Sequence, residues 1–168
     1  MISKKLEKAI NEQINKELYS EYLYLSMASY FSSAGLEGFE NFFLMQVKEE
    51  RFHAMKMYHF LNERGGRAVM QAIDGPETEF SSPLAVFKKA LEHEQYVTSL
   101  INGLMDLAIA ENDHAAKSFL NWFIDEQVEE EASMEGIVNK LEMIGGQGNG
   151  LLMLDKELAG RTFAPEAE

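Results

Sequence analysis

A chain of 168 residues with a formal net charge of -13 is long enough for one domain with a substantial core, and too acidic to favour nucleic acid or an anionic membrane as partner. It holds no cysteine, which removes disulfides, thiolate metal sites and thiol nucleophiles and suits a reducing cytoplasm. The N-terminal residues Met1 to Lys8 lack the apolar core of a signal peptide, and no run of about 18 apolar residues occurs, so the expectation is a soluble cytoplasmic protein forming a single domain over 1–168.

Leu6, Ile10, Ile14, Leu18, Leu25, Ala28 and Phe31 recur at helical spacing and predict a first helix over about 3–33, stopped by Gly35. Glu17 lies on that stripe, within about 40° of Leu6, Ile10, Tyr24, Ala28 and Phe31. A second helix, about 37–64, ends at Gly65-Gly66, and the short connection makes the two an antiparallel hairpin. It carries Glu50-Arg51-Phe52-His53, and residues three apart on a helix face the same way. Phe39, Phe43, Val47, Ala54, Met57 and Leu61 share that face, so a carboxylate and an imidazole interrupt an apolar stripe.

Residues 65–82 contain Gly75-Pro76 and show no periodicity. Extended at about 3.3 Å per residue, they can run the length of a neighbouring helix, so the third helix is expected to start at the opposite end and run parallel to the second. Ser82 as N-cap and Pro83 in the first turn open that helix, about 83–111, in which Glu94 sits among Phe87, Leu91, Ile101, Met105 and Ala108. Asn112-Asp113 breaks it and caps a fourth helix, about 114–143, where Leu120, Phe123, Met134, Val138 and Leu141 surround Gln127 and Glu130. A flexible Gly-rich break over 145–150 leads to a short, Leu-rich fifth helix from 151 to about 158–160, which must pack on this subunit or on others, and the tail from Ala164 is expected to be loose.

Each of the four long helices thus has an acid or amide near its midpoint on the apolar side. In an up-down-down-up bundle those midpoints share one height, so Glu17, Glu50, His53, Glu94, Gln127 and Glu130 converge on one layer. Carboxylates gathered at low dielectric repel or stay protonated unless a cation sits among them. Oxygen ligands with one imidazole suit a hard or borderline metal, and a carboxylate between two ions can bridge them. The alternative is a polar layer of protonated carboxyls and hydrogen-bonded amides.

The pattern of Glu17, Tyr24, Glu50-x-x-His53, Glu94 and Gln127-x-x-Glu130, with the short fifth helix, resembles the bacterial non-haem ferritins over nearly the whole chain. The resemblance implies a ferritin-like fold in which Glu17, Glu50 and His53 hold one iron and Glu94, Glu130 and a bridging Glu50 hold a second, with Gln127 close by. It implies a third iron site at Glu49, Glu126 and Glu129, although Glu129-Glu130-Glu131 by itself reads as a solvated acidic run. The activity implied is ferroxidation of iron(II) by dioxygen or hydrogen peroxide, with Tyr24 donating a hydrogen bond or an electron. Iron(III) mineral would be stored inside a hollow shell of 24 identical subunits whose fifth helices meet at fourfold axes, and an unidentified reductant would release it.

Relatives often carry Glu-x-x-His on two helices. Here the fourth helix offers Gln127-x-x-Glu130, so the two metal positions are expected to differ, with a weaker second site that passes iron on. Haem-binding relatives place a methionine directly after the motif glutamate; Arg51 stands there, and no haem is expected. Trp122 falls off the site face and is assigned to packing, and His59, His93 and His114 are read as surface or edge residues. Two other readings stand beside this one: a non-storing di-iron oxidase or peroxidase of the rubrerythrin kind, against which the lack of any Cys-x-x-Cys counts, and a metal-free helical interaction protein.

Overall fold

In a computed structural model, which describes residues 1–164, the chain forms five helices: α1 (Lys4–Ser33), α2 (Glu37–Glu63), α3 (Pro83–Ala110), α4 (His114–Ile144) and α5 (Gly148–Leu158). No strand occurs among the described residues. The tail from 165 onward, expected to be loose, lies outside them.

Local chemistry explains the boundaries. Ser3, Ser82 and Asp113 each accept a hydrogen bond from a backbone N–H in the first turn of α1, α3 and α4, and Pro83 opens α3 where its missing N–H leaves no bond unmade. The break after α4 is shorter than expected, for α5 begins at Gly148. Gly145 and Gly146 take positive φ values of 66° and 65°, which reverse the chain so sharply that α5 starts three residues before the expected Leu151.

Contacts at one end of the bundle fix its topology. The Ile2 amide donates to the Arg64 carbonyl at 3.1 Å, Ser3 bonds Glu111, and Arg64 forms a two-pronged ion pair with Asp113 at 2.8 and 3.0 Å. The start of α1, the end of α2, the end of α3 and the start of α4 therefore meet, which is the up-down-down-up order. The crossover must run the full length of the bundle, and polar side chains of α1 hold it there. Asn11 bonds Arg67 and Val69, Asn15 the Ala72 carbonyl and Ser26 the Glu77 carbonyl, at 2.6 to 3.0 Å.

The apolar interior is in two parts. One cluster, around Phe31, Phe39, Phe43 and Phe87, fills the end where α5 docks; the other, around Leu6, Ile10, Leu61, Ile101 and Leu120, fills the opposite end. Between them lies the polar layer. Helix α5 adds Leu154 and Leu158 to the first cluster, and the Asp155 carboxylate caps the start of α2 by accepting from the Gly38 and Phe39 amides at 2.8 and 3.0 Å. Gly38 is required at that contact: a Cβ there would lie 1.6 Å from the Asp155 carbonyl oxygen.

Candidate metal centre

The mid-helix acids and amides meet in the layer between the two apolar clusters. Glu17, Glu50, His53, Glu94, Gln127 and Glu130 are all buried, none more than 4% exposed. Glu17 comes from α1, Glu50 and His53 from α2, Glu94 from α3, and Gln127 and Glu130 from α4.

His53 is the hinge of the arrangement. Its Nδ1 lies 3.7 Å from Glu50 Oε2 and 4.0 Å from Glu17 Oε2, while Nε2 lies 3.9 Å from Glu126 Oε1. These separations are too long for hydrogen bonds. With metal–ligand bonds of about 2.0–2.2 Å, donors on one ion stand roughly 3–4 Å apart, so the same separations fit an ion between them. Two groups of ligand atoms, Glu17 with Glu50 and His53, and His53 with Glu126 and Glu130, each lie within 4.8 Å of one another.

The other side of the layer is bound by protein hydrogen bonds. Tyr24 donates its phenolic proton to Glu94, and Gln127 donates to the second Glu94 oxygen at 3.1 Å. Burial raises Glu94 to about 7 despite these two donors, and burial with the nearby Glu94 and Glu49 charges raises Glu130 to about 8. Burial pushes Glu50 well above the ordinary carboxylate range, with Glu94, Glu17 and Glu130 adding to it. Burial also pushes the Tyr24 phenol upward. Without a cation, then, the layer keeps part of its protons; a divalent ion would take their place.

Two buried amides complete the layer and escaped the sequence reading. Gln13 donates to Glu17 at 2.8 Å, and Gln46 donates to Glu130 at 2.8 Å. Each stands four residues before a site glutamate, Gln13 before Glu17 and Gln46 before Glu50, and that spacing was a usable signal. The Gln46 carbonyl oxygen is buried without a hydrogen-bond partner, an acceptor turned to the interior.

Glu49, Glu126 and Glu129 do come together, but in a different setting. With Phe52, His53 and Trp122 they line a cavity of about 200 Å³, to whose lining Thr162 and Phe163 also belong. Glu129 is exposed and Glu126 half-buried. Glu49 is pushed above its ordinary value by burial, an effect that the Arg161 guanidinium, 2.7 Å from its Oε2, opposes.

The structure gives two further residues a definite setting. Trp122, expected off the site face and in packing, packs beside the layer: its ring stands edge-on to His53 at 5.4 Å, and Lys56 lies 4.6 Å from the ring centre. It sits one turn before Glu126, so it faces the outer cavity rather than the buried layer. His93, expected at the surface or an edge, is half-buried at the edge between α1 and α3, with Nε2 2.8 Å from the Ser20 hydroxyl and its ring against Tyr19 and Tyr24. Burial lowers it to about 4, with Lys89 and Lys16 assisting.

Four long helices in up-down-down-up order around a buried carboxylate–histidine layer define a class: helical bundles whose core is able to hold metal ions. More narrowly, the chain belongs to the ferritin family, whose ferritin-like domain model matches residues 7–144. It is 46% identical over 166 residues to the bacterial non-heme ferritin of Staphylococcus aureus, covering 99% of this chain and all of that one. The bacterial non-heme ferritin of Staphylococcus saprophyticus is 48% identical over 163 residues, covering 97% and 98%. Among solved structures, the open pore ferritin of the archaeon Archaeoglobus fulgidus superposes with a TM-score of 0.95 at 52% identity, over 96% of this chain and all of that chain. A humanized archaeal ferritin superposes at 0.97 with 53% identity, over 98% and 100%.

Proposed function

We propose that this chain stores iron, oxidising iron(II) to iron(III) at a di-iron centre within each subunit and holding the product as mineral inside a cytoplasmic shell of 24 copies. The observation that carries the reading is the buried meeting of Glu17, Glu50 and His53 ligand atoms within 4.8 Å, in a chain 46% identical to a bacterial non-heme ferritin.

Iron(II) is the substrate. Glu17, Glu50 and His53 Nδ1 take one ion; Glu94 and Glu130 take the other, with Glu50 shared between them and Gln127 orienting Glu94. The raised carboxyls give up their protons as the ions arrive, so the charge of the metal is matched where it lands. Two ions side by side let dioxygen take one electron from each, and two protons convert it to hydrogen peroxide. Tyr24 holds Glu94 in place through its hydrogen bond and keeps water from that face. Glu49, Glu126 and Glu129 then form a third, more open site on the way out of the layer, and the unequal donor sets favour onward transfer of iron(III). Arg51 stands in the position that a haem-ligating methionine would need, so the reaction proceeds without haem.

Native mass together with aerobic addition of iron(II) tests this. A large shell that oxidises many irons per subunit, and a Glu50→Ala variant that does so far more slowly, are the expected results. A small oligomer that stops after about two irons per subunit would replace storage with a di-iron oxidase.

A further inference from the structure

Residues 159–163, which follow α5, run along α2 to the wall of the outer cavity. Asn41 of α2 donates to the carbonyls of Leu158, Ala159 and Arg161 at 3.2, 3.3 and 3.0 Å. The Arg161 guanidinium lies 4.1 Å over the Phe42 ring, and Phe163 packs against Phe52 at 6.0 Å. This strap brings a cation to one glutamate of that wall: Arg161 Nη2 pairs with Glu49 Oε2 at 2.7 Å. Its Nη1 is buried without an acceptor.

We propose that Arg161 is a built-in competitor of the metal ion at Glu49, so that the strap 161–163 sets how readily the outer cavity is occupied. The inference rests on the proposed iron-handling function and adds to it a residue outside the set of ligands. A guanidinium keeps its charge at every physiological pH, so it cannot yield the carboxylate by losing a proton. A divalent ion bound to Glu49 would share an oxygen with that charge, and the ion pair has to open first. The buried, unpartnered Nη1 makes the docked position imperfect for Arg161, which keeps the pair displaceable. Asn41 and Phe163 hold the strap independently of Glu49, so the guanidinium can leave while the backbone stays.

Zinc(II), which cannot be oxidised, separates binding from turnover. Oxygen-free calorimetric titration of the chelator-treated full chain compares wild type with R161Q, R161K, E49Q and the double variant E49Q/R161Q. R161Q should tighten the Glu49-dependent binding about tenfold, the scale on which a neighbouring charge acts on a carboxylate. R161K, which keeps the charge, should stay within about threefold of wild type, and R161Q should have no effect when added to E49Q. R161Q indistinguishable from wild type, R161K as tight as R161Q, or a full R161Q effect in the E49Q background would each overturn the role of Arg161. Wild-type zinc binding that is unchanged by Glu50→Ala would instead overturn the proposed centre itself, so the two failures are told apart.

Discussion

The buried layer and the outer cavity both draw glutamates from α2 and α4, in part from consecutive residues such as Glu49 and Glu50 or Glu129 and Glu130, yet their surroundings make them chemically different. Glu50 and Glu130 are buried among apolar neighbours and amides, and their carboxyls are raised toward the neutral form. Glu49, next to Glu50 on α2, is paired with the Arg161 guanidinium, and Glu129 faces solvent. A carboxylate with a partner or with water has less to gain from a metal than one that has neither. On the proposed function, the contrast predicts the tighter, more demanding metal position inside and the looser one beside it.

Substitution of single carboxylates should break this contrast most visibly. Glu50→Ala removes the ligand that the proposed centre shares between its two ions and is expected to slow iron(III) formation by more than about 100-fold, whereas Glu129→Gln should slow it only a few-fold. Stopped-flow absorbance after mixing with aerobic iron(II) reads both. Equal losses would mean that the two regions act as one.

A second test uses protons. Glu94 and Glu130 move from an ordinary 4.5 to about 7 and about 8 on folding, so the folded chain binds their protons more tightly than the unfolded chain. The stability they contribute in metal-free protein is full below about 4.5 and is lost as pH rises through those values. Tm of chelator-treated protein should therefore fall between pH 5 and 9 by an amount that Glu94→Gln combined with Glu130→Gln reduces. Saturating zinc(II) should hold Tm up at the alkaline end, because the ion requires the deprotonated ligands.

The smallest effect expected is that of Tyr24→Phe, which deletes one hydroxyl from the layer and nothing from the outer cavity. It leaves Glu94 with Gln127 as its remaining side-chain donor among the described contacts. A loss of about 1–3 kcal/mol in the denaturant stability of the metal-free protein is the scale for an orphaned buried partner. A Tyr24→Phe variant as stable as wild type would mean that Glu94 is satisfied without it.

The buried layer was legible in the sequence because helical periodicity is regular. Six polar residues broke four apolar stripes at one height, and the structure brings all six into one layer. The amides Gln13 and Gln46 obeyed the same spacing and were passed over only because amides carry no charge to draw attention. Trp122 was legible as well: its position off the site face implied a packing role, and its ring packs against Phe52 and His53 of α2. Arg161 could not be read at all. It stands 112 positions from Glu49, and its place depends on the turn at Gly145 and the docking of α5, neither of which leaves a periodic trace.

Gly38 and Asp155 also carry a statement about time. The first turn of α2 forms early in synthesis, but the carboxylate that satisfies its Gly38 and Phe39 amides comes from a helix made 117 residues later. At about 5–20 residues per second, the ribosome needs several seconds to supply it. Until then the four long helices can assemble their interior while the end that Leu154 and Leu158 help to fill stays unfinished.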